Sequence, residues 1–564
     1  MNKAGILQAG LFLVVVFLCL RPLGVYLERV FARDRTFLDP LLLPAERLAH
    51  RLVGINPKSE MNWKRYALAF TLFGVVNIAI VYFLFRCQVW LPWFFPSVMT
   101  TPMTSDLAAN TAVSFATTTT WQAYAGETTM SYFSQLVLAG QNFAAGAAGL
   151  AVGIAFIRGY ARERTDRLGN FWSDLIRALL WVLLPMSILG SLLLVALGVP
   201  LNFHPYTVAQ TVEGGTQIIA QGPVAALEFI KNLGTNGGGF FNVNAAHPFE
   251  NPNGLTNFLE LFAIVVIPAA FTHTFGRMVG RRRDGWVIFW TMTALFIAGL
   301  IVCNFAELAT TGRDLVGGNM EGKEVRFGVN GSALAAVVTS NGATGSYNSM
   351  HDSFQPLGVL VPLVNMLLGE IIFGGLGTGL ISMIFVALIA LFVGGLMIGR
   401  TPEHLGKRIG VSEMKIIALY SLVCPAVVLA LTSMAVVTRP GLAGLTTNSG
   451  AHGFTEILFA YASAFANNGQ NMAGLSANNI FYNLTTTVAM LAGRFLLSIL
   501  ALALAGRFAA MGHRKSSVGT MPSDGLPFGV LLAATTVLLG ALNFLPALAL
   551  GPLVEHFSIH AWIL

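Results

Sequence analysis

The sequence predicts an all-α polytopic membrane protein: about ten transmembrane helices, with four pseudo-repeated helix–pore-loop–helix units around one axis. Three observations predict it. Apolar residues gather in long blocks, the loops between blocks alternate in charge, and a short apolar segment with a polar end recurs four times. Of 564 residues 55% are hydrophobic and 10% charged, against about 25% charged in an average soluble domain. The blocks fall at 5–27, 66–86, 132–157, 173–198, 257–276, 286–308, 357–399, 416–437, 480–506 and 528–550. Each meets the roughly 20 residues a bilayer crossing needs. The first is too long for a signal-peptide core and lacks a small-x-small cleavage site, so it reads as a retained helix. The seventh is too long for one straight crossing, and Gly374-Gly375-Leu376-Gly377-Thr378-Gly379 inside it predicts a kink or an unwound turn.

Charge sets the orientation. Lys and Arg concentrate in residues 28–65, 158–167, 277–283, 400–415 and 507–515, which hold 23 of the chain's 33. The remaining loops are longer, poor in Lys and Arg, and rich in Thr, Asn and Gly. The positive-inside rule places the basic loops in the cytoplasm and, with ten crossings, both termini outside. The net charge of +7 therefore belongs to short membrane loops facing lipid headgroups and does not point to nucleic acid. Cys19, Cys87, Cys303 and Cys424 lie in or at the end of apolar blocks. With no CxxC or Cys/His spacing, they support neither a zinc site nor a disulfide framework.

Each of four outer loops holds an apolar segment too short to span, at roughly 106–116, 223–233, 331–339 and 454–466. Their ends read Thr118-Thr119-Thr120, Thr235-Asn236-Gly237, Ser340-Asn341-Gly342 and Asn467-Asn468-Gly469, at spacings of 117, 105 and 127. A phenylalanine opens the next span 12 or 13 residues after three of these ends (Phe133, Phe354, Phe481) and 21 after the other (Phe258). The units run 66–157, 173–276, 286–399 and 416–506, with an extra helix at each end of the chain, 1–27 and 528–550. A lone Asn-Gly is an ordinary turn, and Asn253-Gly254 and Asn330-Gly331 read that way. Repetition on one side of the membrane marks the others. A potassium ion passing a membrane must trade its water shell for fixed oxygens, and rings of backbone carbonyls supply them. Aiming carbonyls at one axis needs unusual backbone angles, which glycine adopts freely and asparagine tolerates. Four such loops around one ion pathway would meet that need.

Thr117-Thr118-Thr119-Thr120-Trp121-Gln122-Ala123-Tyr124, Gly234-Thr235-Asn236-Gly237-Gly238-Gly239-Phe240-Phe241-Asn242, Met350-His351-Asp352-Ser353-Phe354, Gly369-Glu370-Ile371-Ile372-Phe373-Gly374-Gly375 and Gly474-Leu475-Ser476-Ala477-Asn478 resemble the potassium-binding A subunit of bacterial Kdp-type potassium-transporting ATPases, essentially end to end. The resemblance implies a potassium-channel-like, non-catalytic subunit of a high-affinity uptake pump in the bacterial inner membrane. A P-type ATPase chain would hydrolyse ATP, and a single-span chain, often with a very small peptide, would complete the complex. It implies a potassium filter of Thr118, Thr119, Thr120, Thr235, Asn236, Ser340, Asn341, Asn467 and Asn468. Gly237, Gly342 and Gly469 would set the turns, with Gln122 and Gly238 beside them. The chain departs from the family pattern in its first filter, where Thr118 and Thr120 stand in place of asparagine and no glycine is present.

Glu370 and Arg494 fall inside the seventh and ninth spans, about 24 and 20 Å deep at 1.5 Å per residue. Buried charge at such depth is costly and faces a partner or a water-filled path. The two are expected to flank an inner cavity or gate with Gly374, Gly375 and Gly377; the alternative is a structural ion pair, or bonds to helix carbonyls. Gly317-Gly318-Asn319-Met320-Glu321-Gly322-Lys323-Glu324 imitates a phosphate-binding loop but has Glu where Ser or Thr must hold magnesium. No Asp-Lys-Thr-Gly-Thr string occurs, so this chain alone is expected neither to bind nucleotide nor to hydrolyse it. No His, Asp, Glu or Cys cluster is expected at either membrane face, which argues against a membrane enzyme. A stand-alone channel or cation symporter of the same pore-loop superfamily is the alternative function.

Overall fold

The computed structural model describes residues 3–57, 59–90, 101–309, 318–514 and 521–561. Ten helices among them are long and apolar enough to cross a membrane: Lys3–Ala32, Trp63–Trp90, Tyr132–Ala161, Phe171–Ala196, Gly254–Met278, Arg282–Leu308, Thr378–Met397, Val411–Val437, Ile480–Ala510 and Leu526–Ile559. This is a multi-pass membrane protein. Several spans open on a side-chain cap that satisfies amides the first turn cannot. Asn62 accepts from the Arg65 amide, Ser131 from Ser134, Asn170 from Ser173 and Asn479 from Tyr482. Asn253 and Thr256 form a reciprocal box, so Asn253-Gly254 is a helix start and not a plain turn. Gly331 likewise lies inside a helix, Gly328–Asn341.

The seventh block takes the second of its two expected forms, an unwound break, which begins earlier than the glycine run. It is two pieces, Pro356–Leu367 and Thr378–Met397, with residues 368–377 unwound between them. Gly369 (φ +80°), Glu370 (+53°), Phe373 (+49°) and Gly377 (+82°) are all left-handed there, and a right-handed helix cannot pass through them. In the ninth span a π turn at Ala492–Leu496 adds a residue to one turn, and Arg494 sits in it.

The third span is the hub: 89% of its apolar window is buried. Gly146, Gly149 and Gly153 run along one face. A Cβ on Gly149 would stand 2.6 Å from the Leu376 carbonyl, and one on Gly153 2.6 Å from the Gly377 Cα. Small residues of this kind let backbones meet inside a membrane, and here they admit the unwound segment of span seven.

The basic loops are tied to one another. Met61–Asn62 pairs antiparallel with Arg167–Gly169, Arg162 holds Glu60 at 2.7 Å, and the Thr165 amide donates to the Ala509 carbonyl. Lys407 donates to the Arg162 and Met511 carbonyls at 2.6 and 3.0 Å. Of the phosphate-loop look-alike, Gly317 lies outside the described residues. Its Asn319 and Lys323 both bind Glu307, the latter at 2.8 Å.

Candidate ion-selective site

Four half-helices, Ser105–Ala116, Val224–Leu233, Gly328–Asn341 and Gly450–Ala466, end at adjoining turns. The C-terminal end of a helix carries partial negative charge, so four such ends favour a cation. Three turns share one backbone device, left-handed residues two apart: Thr118 (+66°) and Thr120 (+49°), Thr235 (+49°) and Gly237 (+94°), Asn467 (+60°) and Gly469 (+92°). In the remaining loop the left-handed residue is Ala343 (+51°), with Gly345 two further on. This corrects the expected third turn. Ser340 and Asn341 are the last residues of the half-helix, and Gly342 is its cap at φ −79°. The Ser340 hydroxyl donates to the Val337 carbonyl and accepts from Asn365. The chain leaves the helix three residues later than the Asn-Gly pair suggests, so Ala343-Thr344-Gly345 occupies the position that Thr235-Asn236-Gly237 and Asn467-Asn468-Gly469 take in the neighbouring repeats.

The four turns close a ring. Thr120 donates to the Asn236 carbonyl at 2.5 Å, linking first to second. Gly237 bridges Gly345 in parallel. A Cβ on Gly345 would lie 2.7 Å from the Gly469 carbonyl carbon, and one on Gly469 2.1 Å from the Thr119 carbonyl oxygen. Asn467 donates to Thr119 Oγ1 at 2.9 Å. Beside the ring Gln122 grips Gly239 from both sides, accepting from its amide at 2.9 Å and donating to its carbonyl at 3.1 Å; Gly238 (+71°) packs against the same side chain. The non-glycine left-handed threonines carry the strain that such angles impose on branched side chains. Their hydroxyls are all engaged: Thr118 with the Thr117 carbonyl, Thr120 with the Thr119 and Asn236 carbonyls, and Thr235 with the Gly234 carbonyl and the Leu376 amide.

Below the ring lies a cavity of about 60 Å³ lined by Thr118, Thr235, Ala343 and Asn467, the first left-handed residue of each turn, together with Glu370 and Arg494. That lining independently places Ala343 in register with the other three. Glu370 and Arg494 form no ion pair. Glu370 accepts from Asn468 Nδ2 at 2.7 Å. Arg494 donates to Thr118 Oγ1 at 3.2 Å and to the Ala145 carbonyl at 2.8 Å, and no carboxylate pairs with it among the described residues. The unwound segment forms the cavity wall: the Leu376 amide donates to Thr235 Oγ1 at 3.0 Å, and Gly375 leaves room for Ala343. A Cβ on Gly374 would stand 1.7 Å from the Glu370 carbonyl, and Gly377 meets Gly149.

Above the ring is a narrow space of about 10 Å³ between Thr120, Gly238, Gly345 and Gly469. It is followed by a vestibule of about 680 Å³ lined by Trp121, Tyr124, Tyr347, His351 and Asn471. Burial, reinforced by Lys323, pushes the His351 imidazole down to about 3, so it adds no positive charge to a cation's approach.

The sequence matches the family described as KdpA, potassium-transporting ATPase A subunit, over residues 10–557. The chain belongs to that family. Among its members, a protein of Methylorubrum extorquens named potassium-transporting ATPase potassium-binding subunit is 51% identical over 99% of this chain and 98% of its own. One of the same name from Granulibacter bethesdensis is 50% identical over 99% of both. The potassium transporter TrkH of Vibrio parahaemolyticus shares the fold, with a TM-score of 0.52 at 12% identity over 88% of this KdpA-family chain and 98% of that one.

Proposed function

We propose that the chain is the potassium-binding and translocating subunit of a high-affinity, ATP-driven potassium uptake complex. Its four turns would select potassium on the extracellular or periplasmic side of a bacterial inner membrane. One observation carries the reading: four turns in a common backbone register close a ring between an outer vestibule and an inner cavity that holds Glu370 and Arg494. In the corrected register the ion-binding residues are Thr118–Thr120, Thr235–Gly237, Ala343–Gly345 and Asn467–Gly469. Energy would come from a P-type ATPase chain, with a single-span chain and a very small peptide as further partners. A stand-alone channel fits less well, because an unpaired guanidinium and an unwound helix lie directly below the ring, where free conduction would have to pass.

The test is ATP hydrolysis with and without partners. The purified chain should not hydrolyse ATP; the assembled complex should do so with potassium stimulation that sodium does not reproduce. Rapid potassium flux through the chain alone in liposomes, driven by a gradient without ATP, would instead establish the channel.

Sidedness has its own check. Cysteines at Arg283, whose side chain is 84% exposed, and at Val325, 88% exposed, are expected to label from opposite sides, Val325 with impermeant reagents added outside. Labelling of both from one side would end the ten-span topology.

A further inference from the structure

Away from the ion pathway, three segments meet on the face that carries the vestibule. Asp352 lies in the short turn His351–Ser353. His452 and Glu456 lie in the opening turns of the fourth half-helix. Glu555 belongs to the helix Val554–Ala561 at the chain's end. Contrary to the sequence expectation, these residues form a cluster at one membrane face: one ligand atom each from Asp352, His452 and Glu456 lies within 4.8 Å of the other two.

We propose that Asp352, His452 and Glu456 form a binding site for a single divalent transition-metal cation, with zinc the best fit. Three features support it. First, the spacing suits zinc. His452 Nε2 is 3.0 Å from Asp352 Oδ1 and 3.9 Å from Glu456 Oε1. Ligands held tetrahedrally at about 2.0–2.1 Å stand roughly 3.3 Å apart, so small side-chain adjustments admit the ion. Second, the imidazole is oriented as a metal ligand. Its Nδ1 is 2.8 Å from Glu555 Oε1, the carboxylate–histidine arrangement that fixes the Nδ1–H tautomer and turns the Nε2 lone pair to a metal. Third, Glu456 is fully buried and aimed at the same nitrogen, and its second carboxylate oxygen has no hydrogen-bond partner. Asn448 bridges Glu456 and Asp352, donating to both at 2.8 and 3.2 Å, which holds the two carboxylates on one side. Three carboxylates gather around one imidazole, an acid-rich set of oxygen and nitrogen donors from which a divalent cation would displace protons. One nitrogen among the ligands favours zinc over calcium or magnesium, which take oxygen. Water would complete the four-coordinate shell. The ion would pin the outer end of the fourth half-helix, whose inner end carries Asn467–Gly469, to the loop beyond the third turn and to the last helix.

The complex, stripped of metal and titrated with Zn²⁺ against a fluorescent chelator, should bind one zinc per chain that excess Mg²⁺ or Ca²⁺ does not displace. X-ray absorption should show one imidazole nitrogen with carboxylate oxygens at about 2.0–2.2 Å. His452→Ala should abolish this zinc, and Glu555→Gln should weaken it about 10–100-fold, the usual effect of losing such a supporting carboxylate. Should His452→Ala fail to assemble, Asp352→Asn and Glu555→Gln, close in shape to the originals, decide the matter. Zinc content unchanged by these substitutions would mean adventitious surface metal only, and no bound zinc at all would mean that a proton alone fills the gap between His452 and Asp352. Either result overturns the site.

Discussion

Alanine at Gly469 or Gly237 is expected to lower the apparent potassium affinity of the assembled pump by about five- to thirtyfold or more, with weaker rejection of sodium. Both glycines are left-handed, at φ +92° and +94°, where a Cβ costs roughly 1–2 kcal/mol, and 1.4 kcal/mol is tenfold in binding. Space adds to this. The new Cβ would stand 2.1 Å from the Thr119 carbonyl oxygen at Gly469, and 2.2 Å from the Gly345 amide nitrogen at Gly237. Both obstacles are backbone of the neighbouring turn, so relief requires moving a second member of the ring and not merely a side chain. A ring of oxygens with one pair displaced no longer replaces the potassium hydration shell evenly. Two further substitutions test the corrected register. Gly345→Ala should behave like the first pair, because its Cβ meets Gly469 and Asn468 backbone at 2.7–2.8 Å. Gly342→Ala has an ordinary φ of −79° and meets the Ile264 side chain at 2.3 Å. It should lower stability by about 1–3 kcal/mol through overpacking while shifting affinity less. Gly254→Ala, with nothing within 4 Å, is the neutral control. Half-saturation of potassium-stimulated ATPase at matched protein levels reads all five. Equal damage from Gly254→Ala and Gly469→Ala would show that the ion does not bind at these four turns.

Much of this architecture is legible in the residues, because a bilayer imposes a simple rule of length and hydropathy. Eight of the ten spans and all four half-helices fall within about five residues of their expected bounds, whereas the seventh is split by the unwound residues 368–377 and the tenth runs on to Ile559. The third turn does not. Ser340-Asn341-Gly342-Ala343-Thr344-Gly345 contains two triplets ending in glycine, and the phenylalanine spacing favoured the earlier one. Phe354, however, precedes its helix, whereas Phe133 and Phe481 lie inside theirs, so the ruler was not the same ruler in each repeat. The structural distinction is where helical hydrogen bonding stops: the Gly342 amide still bonds to the Val338 carbonyl, which composition does not reveal. Spans seven and nine show a similar limit. The glycines of 374–379 announce a break, but its extent depends on Glu370 and Phe373 adopting left-handed angles that neither residue type favours. The Asp352–His452–Glu456 cluster escapes because Asp352 lies in a turn 100 residues before His452, and the two residues His452 and Glu456 on one half-helix do not make a site alone.

Arg494→Gln is expected to loosen coupling between ATP hydrolysis and potassium movement while leaving the preference for potassium over sodium largely intact. The guanidinium lines the cavity beneath the ring, and its partners, Thr118 Oγ1, the Ala145 carbonyl and the face of the Phe70 ring, are all neutral. Its charge is therefore not cancelled locally. A cation about 5 Å away, at an effective dielectric of about 20, meets a repulsion of roughly 3 kcal/mol, or about two orders of magnitude in occupancy. Glu370 on the same cavity pulls the other way, so the pair sets how long a potassium ion rests there. Neutralising Arg494 alone should let the ion dwell, lowering the potassium moved per ATP. Neutralising Glu370 alone should impair entry from the ring and also release Asn468, which Glu370 anchors at 2.7 Å. The double variant should recover part of the lost coupling, since the opposing fields vanish together. Selectivity should survive Arg494→Gln because the residue touches the ring through one side-chain hydroxyl and none of its carbonyls. Rubidium uptake and phosphate release measured on the same proteoliposomes give the ratio directly. A variant with normal coupling and only reduced thermal stability would make Arg494 a helix-packing residue held by the π turn at Ala492–Leu496, and the gate would have to be sought in the unwound segment alone.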